Sequence, residues 1–241
     1  MTNKIAYLDL LEACKQPGCP ICFTTQKAVE HYLNIFFYEQ VNDSWVRHDL
    51  RRSLGFCYEH AWLATNSEVG DALGLAIIYH DILNTILKGL PDREEVPRSL
   101  RKISAWFQQI PRGLAEKLET IQHLLTPQGE CPACKQREQH TEIDLSVMIE
   151  SLQDAEMIGA LTSSSGLCLP HLRQAFRMVK DEKDFLSLLS LTRDRLTGTR
   201  DELAEFIRKN DYRFMKERFG PEGDSWKRVV RMMVGNNRTK E

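Results

Sequence analysis

Apolar residues recur along this chain with the period of an α-helix, and the same helical pattern occurs twice. In the first half, one helical face is marked by Val29, Tyr32, Leu33, Phe36 and Phe37. In the second half, the corresponding face is marked by Leu145, Met148, Ile149 and Leu152. This spacing predicts amphipathic helices, and no stretch alternates long enough to predict a sheet. The sequence therefore predicts an all-α protein.

Capping residues indicate where individual helices begin and end. The segment Asn42-Asp43-Ser44 is predicted to supply the N-cap of a short helix, and Gly55 is predicted to end that helix at the C′ position. Asp154 and Gly166 stand at the corresponding places in the second half. Longer helices are predicted over residues 5–14, 71–90, 114–125, 185–206 and 226–234.

Two cysteine pairs and two Cys-x-x-His pairs follow one another in a repeated order. Cys19-Pro-Ile-Cys22 precedes Gly55-Phe-Cys57-Tyr-Glu-His60, and Cys131-Pro-Ala-Cys134 precedes Gly166-Leu-Cys168-Leu-Pro-His171. Cys131 follows Cys19 by 112 residues and Cys168 follows Cys57 by 111, so one single-residue gap aligns the two copies. The period is far longer than that of a solenoid repeat. We therefore expect two tandem pseudo-repeated helical bundles, with domains at 1–90 and 114–210, a helical connector at 91–113 and a C-terminal extension at 211–241.

Three thiolates and one imidazole form a four-coordinate set of the kind that Zn²⁺ favours. Assigned within each half, the sets are Cys19, Cys22, Cys57 and His60, and then Cys131, Cys134, Cys168 and His171. Four filled ligand positions favour a structural role, with two Zn²⁺ per chain, each closing a helical hairpin at its base. An iron–sulfur cluster on the same ligands is the alternative cofactor. Redox-active thiols are a third possibility, although no βαβ pattern accompanies the CxxC sequences.

Composition narrows the class of protein. The chain has 241 residues, a net charge of −2 and seven cysteines, which is typical of a soluble globular protein with reduced thiols. The charge argues against nucleic-acid binding, apart from a weakly basic segment after Ser225. The first residues lack the pattern of a signal peptide, and the most apolar stretch carries polar residues that a membrane span would avoid. We expect a cytoplasmic protein with a protein partner and no membrane association; the sequence does not indicate an oligomeric state.

Other reactive residues are not repeated between the copies. Cys14 aligns with Thr126, which predicts a packed free thiol rather than a ligand. His80 lacks a repeated counterpart and is predicted to be a core or interface histidine. No phosphate-binding loop, nucleophile elbow or HExxH sequence is present.

The motifs together resemble an uncharacterised bacterial family, known as a domain of unknown function. The resemblance is carried by the paired CPxC…GxCxxH sequences, FIRKNDYR at 206–213 and GDSWKR at 223–228. It implies that the eight ligands, the segment 211–213 and Trp226 belong together in the architecture of that family. We separately expect Trp226 to anchor the last helix. It implies no activity, and we favour a non-enzymatic interaction or adaptor module. A redox or metal sensor is the alternative; an enzyme using His80 or residues 211–213, and nucleic-acid binding through the basic tail, are less favoured.

Overall fold

The computed structural model describes residues 3–66, 68–90, 112–214 and 216–237, and every regular element in those ranges is helical. The α-helices are α1 (Lys4–Ala13), α2 (Pro20–Ile35), α3 (Ser44–Arg52), α4 (Tyr58–Ala64), α5 (Ala72–Gly89), α6 (Arg112–Leu124), α7 (Pro132–Glu150), α8 (Ala155–Ser163), α9 (Leu169–Met178), α10 (Glu182–Lys209) and α11 (Ser225–Val234). A π-helical turn at Phe36–Gln40 extends α2, and 3₁₀ turns cover Tyr212–Phe214 and Pro221–Asp224. The all-α prediction is confirmed. Most of the predicted connector at 91–113 lies outside the described residues.

Aspartate side chains begin two of the short helices, and Asp43 is the member of the predicted segment 42–44 that does so. The Asp43 carboxylate accepts hydrogen bonds from the backbone N–H groups of Trp45 and Val46, at 2.8 and 3.0 Å. The Asp154 carboxylate accepts from Glu156 and Met157, at 2.8 and 3.2 Å. Each carboxylate satisfies amide donors that have no partner inside the helix.

The prediction that Gly55 occupies the C′ position of α3 is wrong by one residue. The N–H of Gly55 bonds to the Leu50 carbonyl at 2.8 Å, and the N–H of Leu54 bonds to the Arg51 carbonyl at 3.3 Å. This is a Schellman motif in which Leu54, with φ of 53°, stands at C′ and Gly55, with φ of 95°, stands at C″. Gly55 is still required, because a Cβ there would lie 2.8 Å from Cε1 of Tyr79.

The chain divides into two compact units, each built from both halves of the sequence. Unit one comprises Met1–Val29 and Arg137–Glu241, and unit two comprises Glu30–Gln136. The boundaries fall inside α2 and α7. The units therefore cut across the domain boundaries drawn from the repeat.

Each unit has its own apolar core. In unit one the buried cluster is aliphatic and sulfur-rich, and its fully enclosed side chains include Leu10, Ile21, Leu145, Met148 and Met157. In unit two the core is aromatic, with the rings of Phe36 and Phe56 packed edge to face at 5.4 Å between centroids. Burial of such side chains is the main stabilising contribution in each unit.

None of the described helices combines the length and the apolar character needed to cross a membrane.

Candidate metal centres

The structure brings the eight predicted ligands together in two groups of four. Site one contains Cys19, Cys22, Cys168 and His171, and site two contains Cys57, His60, Cys131 and Cys134. In each site the ligand atoms all lie within 4.8 Å of one another. The pairing predicted within each half is therefore wrong: every CPxC pair meets the CxxH pair of the other half. Site one lies in unit one and site two lies in unit two.

The helix that begins at each CPxC pair is followed by a much shorter helix. With a rise of 1.5 Å per residue, the 16 residues of α2 span about 24 Å, and the nine residues of α3 span about 14 Å. In the second half, the 19 residues of α7 span about 28 Å against about 14 Å for α8. The shorter helix alone therefore covers only about half the length of the longer one.

Every ligand pair occupies the same two positions at the beginning of a helix. Pro20, Tyr58, Pro132 and Leu169 are the first residues of α2, α4, α7 and α9, so the first ligand of each pair stands at the N-cap and the second three residues later. These positions share one face of the first turn. Proline at the first helical position costs no hydrogen bond and presets the backbone angle. The CPxC spacing therefore directs two sulfurs to one point through ordinary helix-capping geometry.

The ligand atoms of site one have the separations expected around a single tetrahedral ion. The Nδ1 atom of His171 lies 3.4, 3.5 and 3.3 Å from the Sγ atoms of Cys19, Cys22 and Cys168. The Sγ atoms of Cys22 and Cys168 are 3.7 Å apart. Zn–S and Zn–N bond lengths of about 2.3 and 2.0 Å in a tetrahedron give edges of about 3.8 Å between sulfurs and about 3.5 Å between sulfur and nitrogen. The residues present fit one such ion.

Site two has nearly the same geometry. The Nδ1 atom of His60 lies 3.3, 3.6 and 3.4 Å from the Sγ atoms of Cys57, Cys131 and Cys134. The Sγ atoms of Cys57 and Cys134 are 3.5 Å apart. Both sites therefore present three sulfurs and an imidazole Nδ1 to a common centre.

Ionisation of the buried thiols in the two sites is favoured by a nearby positive charge. Burial, reinforced by the neighbouring sulfurs of Cys168 and Cys22, raises the pKa of the Cys19 thiol well above its ordinary value. Burial also raises the pKa of Cys131, although backbone N–H groups, including that of Cys57, act in the opposite direction. The Cys22 thiol differs, because hydrogen bonds with Cys168 and Cys19 lower its pKa despite its burial. A buried thiolate formed there is stabilised by a nearby cation. A divalent cation bound at either site would supply positive charge and keep its ligands as thiolates.

The two sites differ in their exposure to solvent. All four ligands of site one are buried, whereas Cys57 and Cys134 of site two are half-buried. Reagents in solution therefore reach site two more readily than site one.

Residues just after α11 cover site one, and sequence reasoning did not identify them. The side-chain carbonyl of Asn236 accepts a hydrogen bond from the backbone N–H of Cys19 at 3.0 Å, and the backbone N–H of Asn236 donates to the Cys22 sulfur. A Cβ at Gly235 would lie only 3.2 Å from the Cys22 sulfur, and its φ of 98° also favours glycine. The Gly-Asn sequence just after the last helix could have indicated this cover over site one. It has no counterpart at site two, so comparison of the two copies did not single it out.

The other candidate residues lie outside the two sites. Cys14 is buried and free, as predicted, and burial raises the pKa of its thiol to about 11. His80 is exposed on α5 beside Asn84, so it is not a core residue, and its alternative role as an interface histidine stays a prediction. Arg213 forms an exposed ion pair with Asp211 at 2.6 Å.

Trp226, which was predicted to anchor the last helix, is half-exposed. Its side chain is 49% exposed. The buried residues of α11 are instead Ser225 and Met232.

Comparison with known proteins agrees with the resemblance seen in the motifs. The model of a family of unknown function (DUF6062) matches residues 1–240. The "uncharacterized 23.9 kDa protein in xynA 3′ region" of Caldicellulosiruptor sp. (strain Rt8B.4) is 22% identical over 228 residues, which cover 94% of this chain and 99% of that protein. No solved structure gives a significant match.

Proposed function

The chain belongs to the DUF6062 family, whose function is unknown, and we propose that it is a non-enzymatic, zinc-stabilised interaction module. The observation that carries the proposal is the pair of closed four-ligand groups. Catalytic zinc sites keep one position for water or substrate, whereas structural sites fill all four positions with protein ligands. Each ion would tie the beginning of one helix to the beginning of another from the opposite half of the sequence.

The same geometry favours one ion over an iron–sulfur cluster at each site. A cluster places several irons and bridging sulfides between its ligands, so the ligand atoms must stand well apart. The ligand atoms of each site all lie within 4.8 Å of one another, which leaves space for a single ion. Thiolate and imidazole ligands in a tetrahedral arrangement suit Zn²⁺.

Elemental analysis and an absorption spectrum of protein purified without added metal test the metal assignment. The proposal predicts about two zinc ions per chain and no visible absorption. A brown protein that contains iron and labile sulfide and absorbs near about 400 nm would contradict it.

The proposed interaction surface is an aromatic pair on α4, defined as Tyr58 and Trp62. Their side chains are 82% and 63% exposed, and their rings pack edge to face at 6.4 Å between centroids. Exposed tyrosine and tryptophan are enriched at protein interfaces. Because the ligand Cys57 is the N-cap of α4, the ion at site two would fix the helix that presents this pair.

Affinity capture with the Tyr58→Ala/Trp62→Ala variant tests the interaction role. Trp45→Ala, which removes a tryptophan that is 80% exposed on α3, is the matched control. We expect a stoichiometric protein partner to be captured by the wild type and the control and lost by the double variant, with zinc content unchanged in all three. Capture of the same partners by all three proteins would refute the aromatic pair as the surface.

The greater exposure of site two favours redox sensing as the second candidate. Cys57 and Cys134 are half-buried, and their sulfurs lie 3.5 Å apart. Peroxide would take two electrons from these thiolates, forming a disulfide and being reduced to water, and the ion would be released. Peroxide titration with a zinc-responsive dye should then release one ion per chain from site two before site one. Equal release from both sites, or release only at damaging doses, would eliminate this candidate.

A further inference from the structure

Unit one contains a cavity of about 260 Å³ that its apolar core does not fill. Met148, Leu161, Leu188 and Met232 are buried and form much of its aliphatic wall. Leu196 also lines the cavity and is 40% exposed, which indicates that the cavity opens to solvent beside α10. Concave, mainly apolar sites with a few polar groups are typical of small-molecule binding.

A second pocket, of about 220 Å³, adjoins the cavity and is polar. The two share Gly166, Arg195 and Met232, so Arg195 stands at the junction. Arg231 also lines the polar pocket. The apolar cavity thus leads into a pocket lined by arginine side chains.

Two of those arginines have no carboxylate partner within the described ranges. Arg228, a third arginine of the pocket, is paired with Glu202 and with Asp224 at 2.7 Å. By contrast, Arg195 donates one hydrogen bond, at 2.8 Å, to the Thr162 carbonyl. No ion pair of Arg195 or Arg231 occurs among the residues that the structure describes. These two guanidinium groups are available to an anion.

Several residues that line the cavity differ in type from the aligned residues of the other sequence copy. Met148 and Leu167 of the cavity wall align with Phe36 and Phe56, whose rings pack against each other in unit two at 5.4 Å. Gly166 aligns with Gly55, against which the ring of Tyr79 packs. In unit two, aromatic rings occupy the aligned positions. In unit one, aliphatic side chains and Arg195 surround an open volume.

We propose that unit one binds a single-chain amphiphile with an anionic head group. The hydrocarbon chain occupies the aliphatic cavity, and a carboxylate or phosphate head lies against Arg195 and Arg231. A methylene group takes up about the volume of a water molecule in the liquid, about 30 Å³, so the cavity holds a chain of roughly eight to ten carbons. The polar pocket is also lined by the site-one ligands Cys19 and Cys168. The proposed contacts of the head group are with Arg195 and Arg231, so the proposal does not depend on the interaction role proposed above.

Calorimetric titration of the full-length, metal-loaded protein with decanoate, decyl phosphate and decanol, each below its micelle concentration, tests the proposal. We expect saturable binding of at least one anion, and about tenfold weaker binding of decanol, because decanol cannot pair with the arginines. The two anions distinguish a carboxylate from a phosphate head group.

Three variants distinguish the role of the polar pocket from that of the apolar cavity. Arg195→Gln should weaken anion binding about tenfold and leave decanol binding unchanged. Arg193→Gln, on the same helix but outside both pockets, is the matched control. Asp194→Asn, which removes a negative charge from the cavity wall, should tighten anion binding and leave decanol binding unchanged.

Filling the cavity provides an independent test. Met148→Phe/Leu167→Phe introduces the two residues that the other copy carries, and it should weaken both decanol and the bound anion by about tenfold or more. If this variant does not fold, the Arg195→Gln and Asp194→Asn results still decide. Absence of saturable binding, equal affinity for decanol and the anions, or equal losses in Arg193→Gln and Arg195→Gln would overturn the proposal.

Discussion

Replacing one ligand from each half of the sequence distinguishes the crossed pairing from pairing within halves. In the structure, Cys19 and Cys168 belong to the same site. The Cys19→Ala/Cys168→Ala variant should therefore lose one ion and keep the other. Cys19→Ala/Cys57→Ala damages both sites and should lose both ions. Pairing within halves predicts the opposite result for each double variant.

The expected loss of stability follows from the loops that the ions close. Site one connects Cys22 to Cys168, which are 146 residues apart, and site two connects Cys57 to Cys134, which are 77 residues apart. Taken singly, the length-dependent entropy of closing these loops is about 4.4 and about 3.8 kcal/mol. Domains are stable by about 5 to 15 kcal/mol. Loss of site one should therefore remove a large fraction of the free energy of unfolding of unit one.

Metal counting and chemical denaturation measure these effects on the same samples. Cys19→Ala/Cys168→Ala should retain about one zinc per chain and lose about 4 kcal/mol, and adding His171→Ala should cost little more, because that site is already lost. Cys14→Ala is the control that retains both ions. A Cys19→Ala/Cys168→Ala protein with no zinc, and a Cys19→Ala/Cys57→Ala protein with one zinc, would refute the crossed pairing.

Three further outcomes are expected. Asn236→Ala leaves a ligand amide of site one without its acceptor; it should destabilise unit one by about 1 to 3 kcal/mol and speed zinc loss to a chelator at site one only, whereas equal loss at both sites would contradict this role. Gly55→Ala should cost about 1 to 3 kcal/mol in chemical unfolding, because its positive φ and the Tyr79 ring exclude a Cβ, whereas Gly159→Ala in open space should be neutral or stabilising. At pH 8 the Cys14 thiol, with its pKa raised to about 11, stays protonated and should resist alkylation in the native protein by mass spectrometry; rapid labelling would contradict its burial.

Local features of the sequence predicted most of the helices. Asp43 and Asp154 begin α3 and α8 because each carboxylate accepts amide hydrogen bonds at the helix N-terminus. The prolines of the two CPxC sequences are the first residues of α2 and α7. Such signals act over three or four residues and are readable without tertiary structure. The C′ position of α3 was missed because Leu54 adopts a left-handed conformation that usually favours glycine.

The ligand types could be predicted from the sequence, whereas their pairing could not. The residue order suggested that each half closes on itself, because Cys22 and Cys57 are nearer in the chain than Cys22 and Cys168. The structure instead groups Cys22 with Cys168, and nothing in the order of the residues distinguishes that pairing. The hydrogen bond between Asn236 and Cys19 could not be predicted either, because the two residues are 217 positions apart in the chain.

The central claim is that each ion is held by a CPxC pair from one half and a CxxH pair from the other. Replacement of the metal with ¹¹³Cd and measurement of cadmium–proton couplings tests this directly, because each cadmium couples to the side-chain protons of its own ligands. One cadmium signal should correlate with Cys19, Cys22, Cys168 and His171, and a second with Cys57, His60, Cys131 and Cys134. A signal that joins Cys19 and Cys22 to Cys57 and His60 would contradict the account.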